Sequence, residues 1–189
     1  HYYIFGAGLW VGVISPNGDT LVTVGYNANS GYEEVVPGLL RQGSGGQTNP
    51  FVRVYLYPGD WPPPIDTFPM APQIALTTQE TWACYNDNDP AAHEPGDTGP
   101  IGFDVYQTGF ADTTSIVTDV VYLKFEVKNC TTYTMSNTIL GILMDADVGN
   151  ANDDVNGLIL RKWFGGINDT IKNLGFTTNA AAIPTWGAV

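Results

Sequence analysis

Apolar and polar residues alternate along much of this chain. Val121, Leu123, Phe125 and Val127 are interleaved with Tyr122, Lys124, Glu126 and Lys128, the period-two pattern of a strand with one face buried and one in water. Val52, Val54 and Leu56 alternate with Arg53, Tyr55 and Tyr57 in the same way. The run Ile139-Leu140-Gly141-Ile142-Leu143-Met144 is apolar throughout and reads as a buried strand that delivers the following residues to the edge of a core. Between residues 2–14 and 20–26 lies Ser15-Pro16-Asn17-Gly18-Asp19, whose Asn-Gly favours the positive φ angles of a tight turn, so these two segments are expected to pair as an antiparallel hairpin. Further strands are expected over 81–85, 101–108, 138–144, 155–164 and 171–177, most of them separated by Gly, Asn, Asp or Pro clusters.

Helical periodicity is scarcely visible, and 13 Pro with 22 Gly spread along the chain leave little room for helices of any length. Short strands and frequent turns predict an all-β fold, an antiparallel β-sandwich that could be jelly-roll-like, with long loops and little helix. Segments 31–50 and 58–79 exceed ordinary loop length, and loops of that size tend to be functional or interfacial.

Composition narrows the picture. At 189 residues one domain, 1–189, is the simplest organisation, and it is large enough to bury its own core. Its first residue is His1, inside a strand pattern, which suggests a processed chain or part of a longer precursor. A net charge of -12 opposes binding to nucleic acid or to an anionic membrane and favours cations as partners. No apolar run approaches the roughly 18 residues of a membrane-spanning helix. Only 14% of residues are charged, so the polar surface is drawn largely from Thr, Asn, Gly and Ser, as in β-rich extracellular proteins. Cys84 and Cys130 could form a disulfide worth about 4 kcal/mol by the chain-entropy argument, or remain two buried thiols. An exported chain favours the disulfide.

The densest chemistry lies in Asp145-Ala146-Asp147-Val148-Gly149-Asn150-Ala151-Asn152-Asp153-Asp154. Two like charges about 6 Å apart repel by roughly 3 kcal/mol at an effective dielectric near 20, so carboxylates converging on one turn need solvation or a counter-ion. All the donors are oxygens, which suits calcium, with Asp145, Asp147, Gly149, Asn152, Asp153 and Asp154 as candidate ligands. The segment is not an EF-hand, because its sixth position is Asn150 and its twelfth Asn156, where that loop requires Gly and Glu. A plain solvated Asp/Asn turn is the competing reading.

A second cluster, Asn86-Asp87-Asn88-Asp89-Pro90, precedes His93 and Glu94. Asp87 and Asp89 are candidates for another calcium ion, or with His93 for a transition metal, against the simpler account of a turn ended by proline. Of the aromatic residues, most are expected in the core. Trp61, within Asp60-Trp61-Pro62-Pro63-Pro64, is the best candidate for stacking on a glycan, because the prolines imply an extended, rigid loop. Asn129-Cys130-Thr131 and Asn168-Asp169-Thr170 match the N-glycosylation tripeptide. Thr20, Thr67, Thr113 and Thr170 each follow Asp, as in an O-glycosylation acceptor used by some exporting bacteria. Catalytic motifs are absent from the sequence: there is no Gly-x-Ser-x-Gly elbow, phosphate-binding loop or His-Glu-x-x-His. A carboxylate pair for glycoside hydrolysis needs only to meet in space, so a hydrolase stays among the alternatives.

Five segments share a wider likeness: residues 4–12 (Ile4-Phe5-Gly6-Ala7-Gly8-Leu9-Trp10-Val11-Gly12), Asn17-Gly18-Asp19-Thr20-Leu21-Val22, Tyr55-Leu56-Tyr57-Pro58-Gly59-Asp60-Trp61-Pro62-Pro63, Trp82-Ala83-Cys84-Tyr85-Asn86-Asp87-Asn88-Asp89-Pro90 and Met144-Asp145-Ala146-Asp147-Val148-Gly149. Together they resemble large secreted bacterial surface proteins, which often end in sorting or FlgD-like immunoglobulin modules. The resemblance implies export, a β-rich extracellular module and acidic loops matched here by Asp145, Asp147, Asp153 and Asp154. The expected function is a non-catalytic, calcium-stabilised structural module that assembles with copies of itself in a surface layer or filament. A carbohydrate-binding module is the alternative, and a glycoside hydrolase the second alternative.

Overall fold

The computed structural model describes residues 4–40, 49–113, 118–148, 152, 154–159, 162–164, 167–169 and 174–179. Twelve strands are present among them: β1 (Gly6–Ile14), β2 (Thr20–Val24), β3 (Val36–Pro37), β4 (Tyr55–Tyr57), β5 (Gln79–Asn86), β6 (Phe103–Ala111), β7 (Val121–Asn129), β8 (Ser136–Asp145), β9 (Asp154–Ile159), β10 (Lys162–Phe164), β11 (Ile167–Asp169) and β12 (Leu174–Asn179). The fold is all-β and sandwich-like, built from antiparallel sheets. The chain divides into two compact units, 9–141 and 1–8 with 142–189.

In the larger unit the Asn-Gly turn acts as its sequence demands. Gly18 takes a φ of 88°, Ser15 and Asp19 close the turn through backbone bonds, and β1 pairs with β2 from Ile14↔Thr20 to Trp10↔Val24. With β8 these strands form a sheet in the order β2-β1-β8. The second sheet runs β3-β5-β6-β7, with β4 beside β3 on the free edge of β5. Period-two alternation then sorts the side chains. Leu9, Val11 and Val13 of β1 are buried against Phe103 and Val105 of β6, with Ile101, Leu21, Tyr85, Phe125 and Val127 closing the layer.

The other face of the five-stranded sheet carries a second core of Tyr55, Trp82, Cys84 and Tyr106, covered by Leu39, Phe68 and Ala71. Phe68 is fully buried and lies 5.1 Å from the Trp82 ring. Complete burial of such a side chain stabilises by about 2 to 3 kcal/mol. Segment 58–79, expected as a functional or interfacial loop, is therefore in large part a lid on this core. Trp61 and Met70 pack against it as well.

Three sequence expectations are corrected here. Val54 and Leu56 are exposed and Tyr55 is the buried residue of β4, while Val52 packs on the same core as Tyr55, so the alternation of 52–57 does not mark one buried face; Tyr55 turns inward against the Phe68 and Trp82 rings. In β7 only Phe125 and Val127 pack on the core, while Val121 and Leu123 are exposed. The run 139–144 is not a buried strand: Ile139 is 72% exposed and Leu140, Ile142 and Met144 are all exposed, because β8 lies at the edge of its sheet.

In the smaller unit, the expected strand 155–164 is two strands, β9 and β10, and the segment 171–177 is met by β12, which pairs antiparallel with β9. Gly157 stands opposite Phe176 in that ladder, and any side chain at 157 would collide with the Phe176 ring.

Candidate functional site

β8 ends at Asp145, so the acidic segment begins where the exposed strand stops. The Asp145 carbonyl accepts the Phe5 N–H at 2.7 Å. Asp145 and Asp147 are half-buried, and Asn152 is exposed. Asp154, the first residue of β9, turns one carboxylate oxygen, Oδ2, back to accept the Val148 N–H at 3.0 Å. Its other oxygen, Oδ1, is buried with no donor. A desolvated carboxylate oxygen without a partner is costly, and a hard cation is one way to satisfy it. Gly149 and Asp153 lie outside the described residues. Among the described residues no three His, Cys, Asp or Glu side chains converge on one point.

Asp87 is a different case. It is fully buried, and its carboxylate sits in a cradle of the protein's own donors. Oδ1 accepts the N–H groups of Gly102 at 3.0 Å and Phe103 at 2.9 Å, and Oδ2 accepts the Ile101 N–H at 2.6 Å and the Thr23 hydroxyl at 3.0 Å. Three consecutive backbone N–H groups make an anion-binding nest, and Gly102, at φ 93°, supplies the left-handed residue that bends it. The acidic side chain expected to bind a cation instead anchors the start of β6. Asp89 is half-buried and closes a turn by accepting the Ala91 N–H. His93 directs both ring nitrogens at carbonyl oxygens, Nδ1 at Thr98 and Nε2 at Asp87, each 3.0 Å away, so both nitrogens are engaged within the protein.

Trp61 is half-buried rather than displayed. It packs on the second core and edge-on to Tyr57 at 6.4 Å, with its indole N–H buried. The rigid proline segment serves to press the ring inward. Thr20 and Thr113 are exposed and Thr67 is half-buried. The Asn129 carboxamide is engaged in its own turn, donating to the Tyr133 carbonyl and accepting the Thr131 N–H and hydroxyl. The backbone of Asn168 belongs to β11, and Thr170 lies outside the described residues.

The expected disulfide between Cys84 and Cys130 is not formed. Cys84 stands opposite Tyr106, which stands opposite Glu126, and Cys130 is four residues beyond. Two strand spacings and four residues of rise separate the cysteine Cα atoms by about 16 Å, against the roughly 4.4–6.8 Å that a disulfide spans. Cys130 donates its S–H to Asp104 Oδ2 at 3.2 Å, and burial together with that carboxylate pushes its thiol up from the ordinary value.

Several buried carboxylates were not singled out by the sequence. Glu34 accepts the N–H groups of Val24 and Glu94, Asp104 that of Leu40, and Glu80 those of Leu76 and Thr77. Each ties a loop to a strand end. Nothing in the local sequence distinguishes Glu34 from the exposed Glu33 beside it, because the distinction is made by a backbone N–H brought close only in three dimensions. No protein-family model, curated protein or solved structure matches the chain.

Proposed function

We propose that the protein is a non-catalytic structural module of an extracellular surface, which assembles with copies of itself by strand addition at β8 and is stiffened by calcium at the adjoining acidic segment. The observation that carries this reading is the character of β8. From Ser136 to Met144 it holds no charged residue and no proline, from Ile139 onward it is apolar on both faces, and it is exposed at a sheet edge. Natural edge strands are ordinarily protected by charge, proline or a bulge, and an edge without such protection is a template for another strand. Val121, Tyr122 and Leu123 of β7 add exposed apolar surface at the edge of the other sheet.

Charge links assembly to the cation. Copies that each carry -12 repel, and a divalent ion held by Asp154 Oδ1 and its neighbours would lower that repulsion at the end of the docking strand. The likeness of the sequence to secreted bacterial surface proteins supports the extracellular setting. Thermal melts with calcium and with EDTA test the ion. Saturation at a hundred times Kd adds about 2.7 kcal/mol, a rise of roughly 5 to 10 °C for a chain of this size. An equal melt in both conditions would remove calcium from the proposal.

One observation favours the carbohydrate-binding alternative. Trp10 is 37% exposed, its indole N–H is fixed on the Tyr26 carbonyl at 2.9 Å, and it walls a groove of about 310 Å³ floored by Gly12 and Gly141. Glycan-array binding that is lost on Trp10→Ala would favour that reading.

A further inference from the structure

We infer that the strand received at β8 is β7 of a second copy, laid antiparallel, so that copies join head to tail rather than as a two-fold pair. The inference rests on the reading of β8 as a docking edge and names the partner of that edge.

The larger unit closes most of its own sheet edges. On β2, the Thr98 hydroxyl accepts the Val22 N–H at 2.8 Å and donates to the Val22 carbonyl at 2.7 Å, while Glu34 occupies both the N–H and the carbonyl of Val24. On β4, the Asp60 carboxylate accepts the Leu56 N–H at 2.9 Å. β3 is two residues long and one of them is Pro37, which has no N–H to offer an incoming strand. Two edges remain. β7 ends the five-stranded sheet and β8 the three-stranded one, and among the described residues no loop or side chain bonds their backbone from Val121 to Val127 or from Ser136 to Met144 beyond the ladders with β6 and β1.

The side chains of the two strands match in one sense. β7 is apolar and exposed at its start, Val121 to Leu123, and carries Lys124, Glu126 and Lys128 towards its end. β8 runs the other way, with Ser136, Asn137 and Thr138 first and the apolar run from Ile139 after them. Antiparallel pairing of β7 with β8 therefore sets apolar half on apolar half and polar half on polar half, whereas antiparallel pairing of either strand with its own copy sets each half on its opposite. Charge favours the same choice. In a chain of -12, β7 carries two Lys and one Glu and β8 carries no charge before Asp145, so the contact brings no net acidic strand against a second copy.

Within one chain the connection 130–135 keeps these strands apart. The Cys130 N–H bonds the Gly102 carbonyl at 3.0 Å, the Tyr133 hydroxyl donates to the Ile101 carbonyl at 3.3 Å, and Met135 packs against the core between the sheets. Two consecutive strands that match as a hairpin thus end on different sheets, and each keeps an edge for a neighbour. Because β7 and β8 are different surfaces of the chain, their contact is heterologous, and its repetition builds a ring or a filament.

Sedimentation velocity in calcium on two variants and on their equimolar mixture tests this. Leu123→Lys places a charge in the apolar half of β7 and Ile142→Lys in that of β8, both at exposed positions. Each alone is expected to sediment as one chain, and the mixture as two chains and never more, however concentrated, because one intact β7 and one intact β8 remain to pair. If Leu123→Lys assembles as the wild type does while Ile142→Lys stays single, β7 is not the partner, and the reading of β8 still stands. A mixture that stays single also overturns the pairing. If Ile142→Lys itself assembles, β8 is not the docking edge and both claims fall together. Should Leu123→Lys fail to fold, Val121→Lys, at a more exposed position of the same strand, takes its place with the same outcomes.

Discussion

Replacing Asp87 by Asn exchanges one oxygen for an amide nitrogen in a carboxylate that accepts four hydrogen bonds. The retained oxygen can still accept the Gly102 and Phe103 N–H groups, but the new amide would face the Ile101 N–H, now 2.6 Å from Oδ2, and the Thr23 hydroxyl. Thr23 can turn its hydroxyl to accept. Ile101 cannot adapt, since a backbone N–H only donates. The loss is one charge-assisted bond, worth about 1.5 to 3 kcal/mol, and one amide stranded without a partner, costing about 1 to 3 kcal/mol, so about 4 kcal/mol in all. With a urea m-value near 2 kcal/mol/M, the midpoint should fall by about 2 M. Fluorescence of the buried Trp82 core follows the transition, and Asp89→Asn, at an outer turn, serves as the control with a loss below about 1 kcal/mol. A loss under about 1 kcal/mol for Asp87→Asn, or an equal loss for the two variants, would refute the cradle. If Asp87 instead held calcium, the difference between them would vanish in EDTA.

Gly102→Ala should cost about 1 to 3 kcal/mol in the same assay, because position 102 has a left-handed φ and a Cβ there would press on the Thr131 methyl, strain that an L side chain pays for; an unchanged midpoint would contradict it. Burial raises the Tyr85 phenol above its ordinary value of 10.0. The folded state thus holds the proton more tightly, so its contribution to stability is intact below about pH 10 and is lost as pH rises beyond that. Tyr85→Phe should flatten the alkaline limb of the stability profile, and a limb unchanged by the substitution would argue against this origin. With no disulfide between Cys84 and Cys130, the melting temperature should be the same with and without reductant, and a drop in reductant would show a bond between them.

Much of the fold was legible in the sequence because it depends on local chemistry. The Asn-Gly turn fixed the β1-β2 hairpin, and alternation around Phe125 and Val127 marked the inner face of β7. What alternation cannot reveal is where a core ends. Val121 and Leu123 continue the same pattern as Phe125 and Val127 yet stand exposed, and the apolar run of β8 lies at an edge, because both outcomes depend on which strands come to lie beside them. Sites were legible by residue type but not by role. Asp87 and Asp154 both begin as aspartates in Asn/Asp-rich turns; three N–H groups from 101–103 occupy the first, and the second retains a buried oxygen with no donor. Sequence spacing contains neither fact. The cysteines likewise suggested a bond that only the β5-β6-β7 register excludes.

Self-assembly through β8 is the claim on which the proposed function turns, and sedimentation velocity over a concentration series in calcium tests it most directly. The wild-type chain is expected to form species larger than one chain, increasingly with concentration, while Ile142→Lys, at an exposed position where a charge costs folding less than about 0.5 kcal/mol, remains monomeric. A wild-type chain that sediments as a monomer at every concentration, with calcium present, would contradict the account.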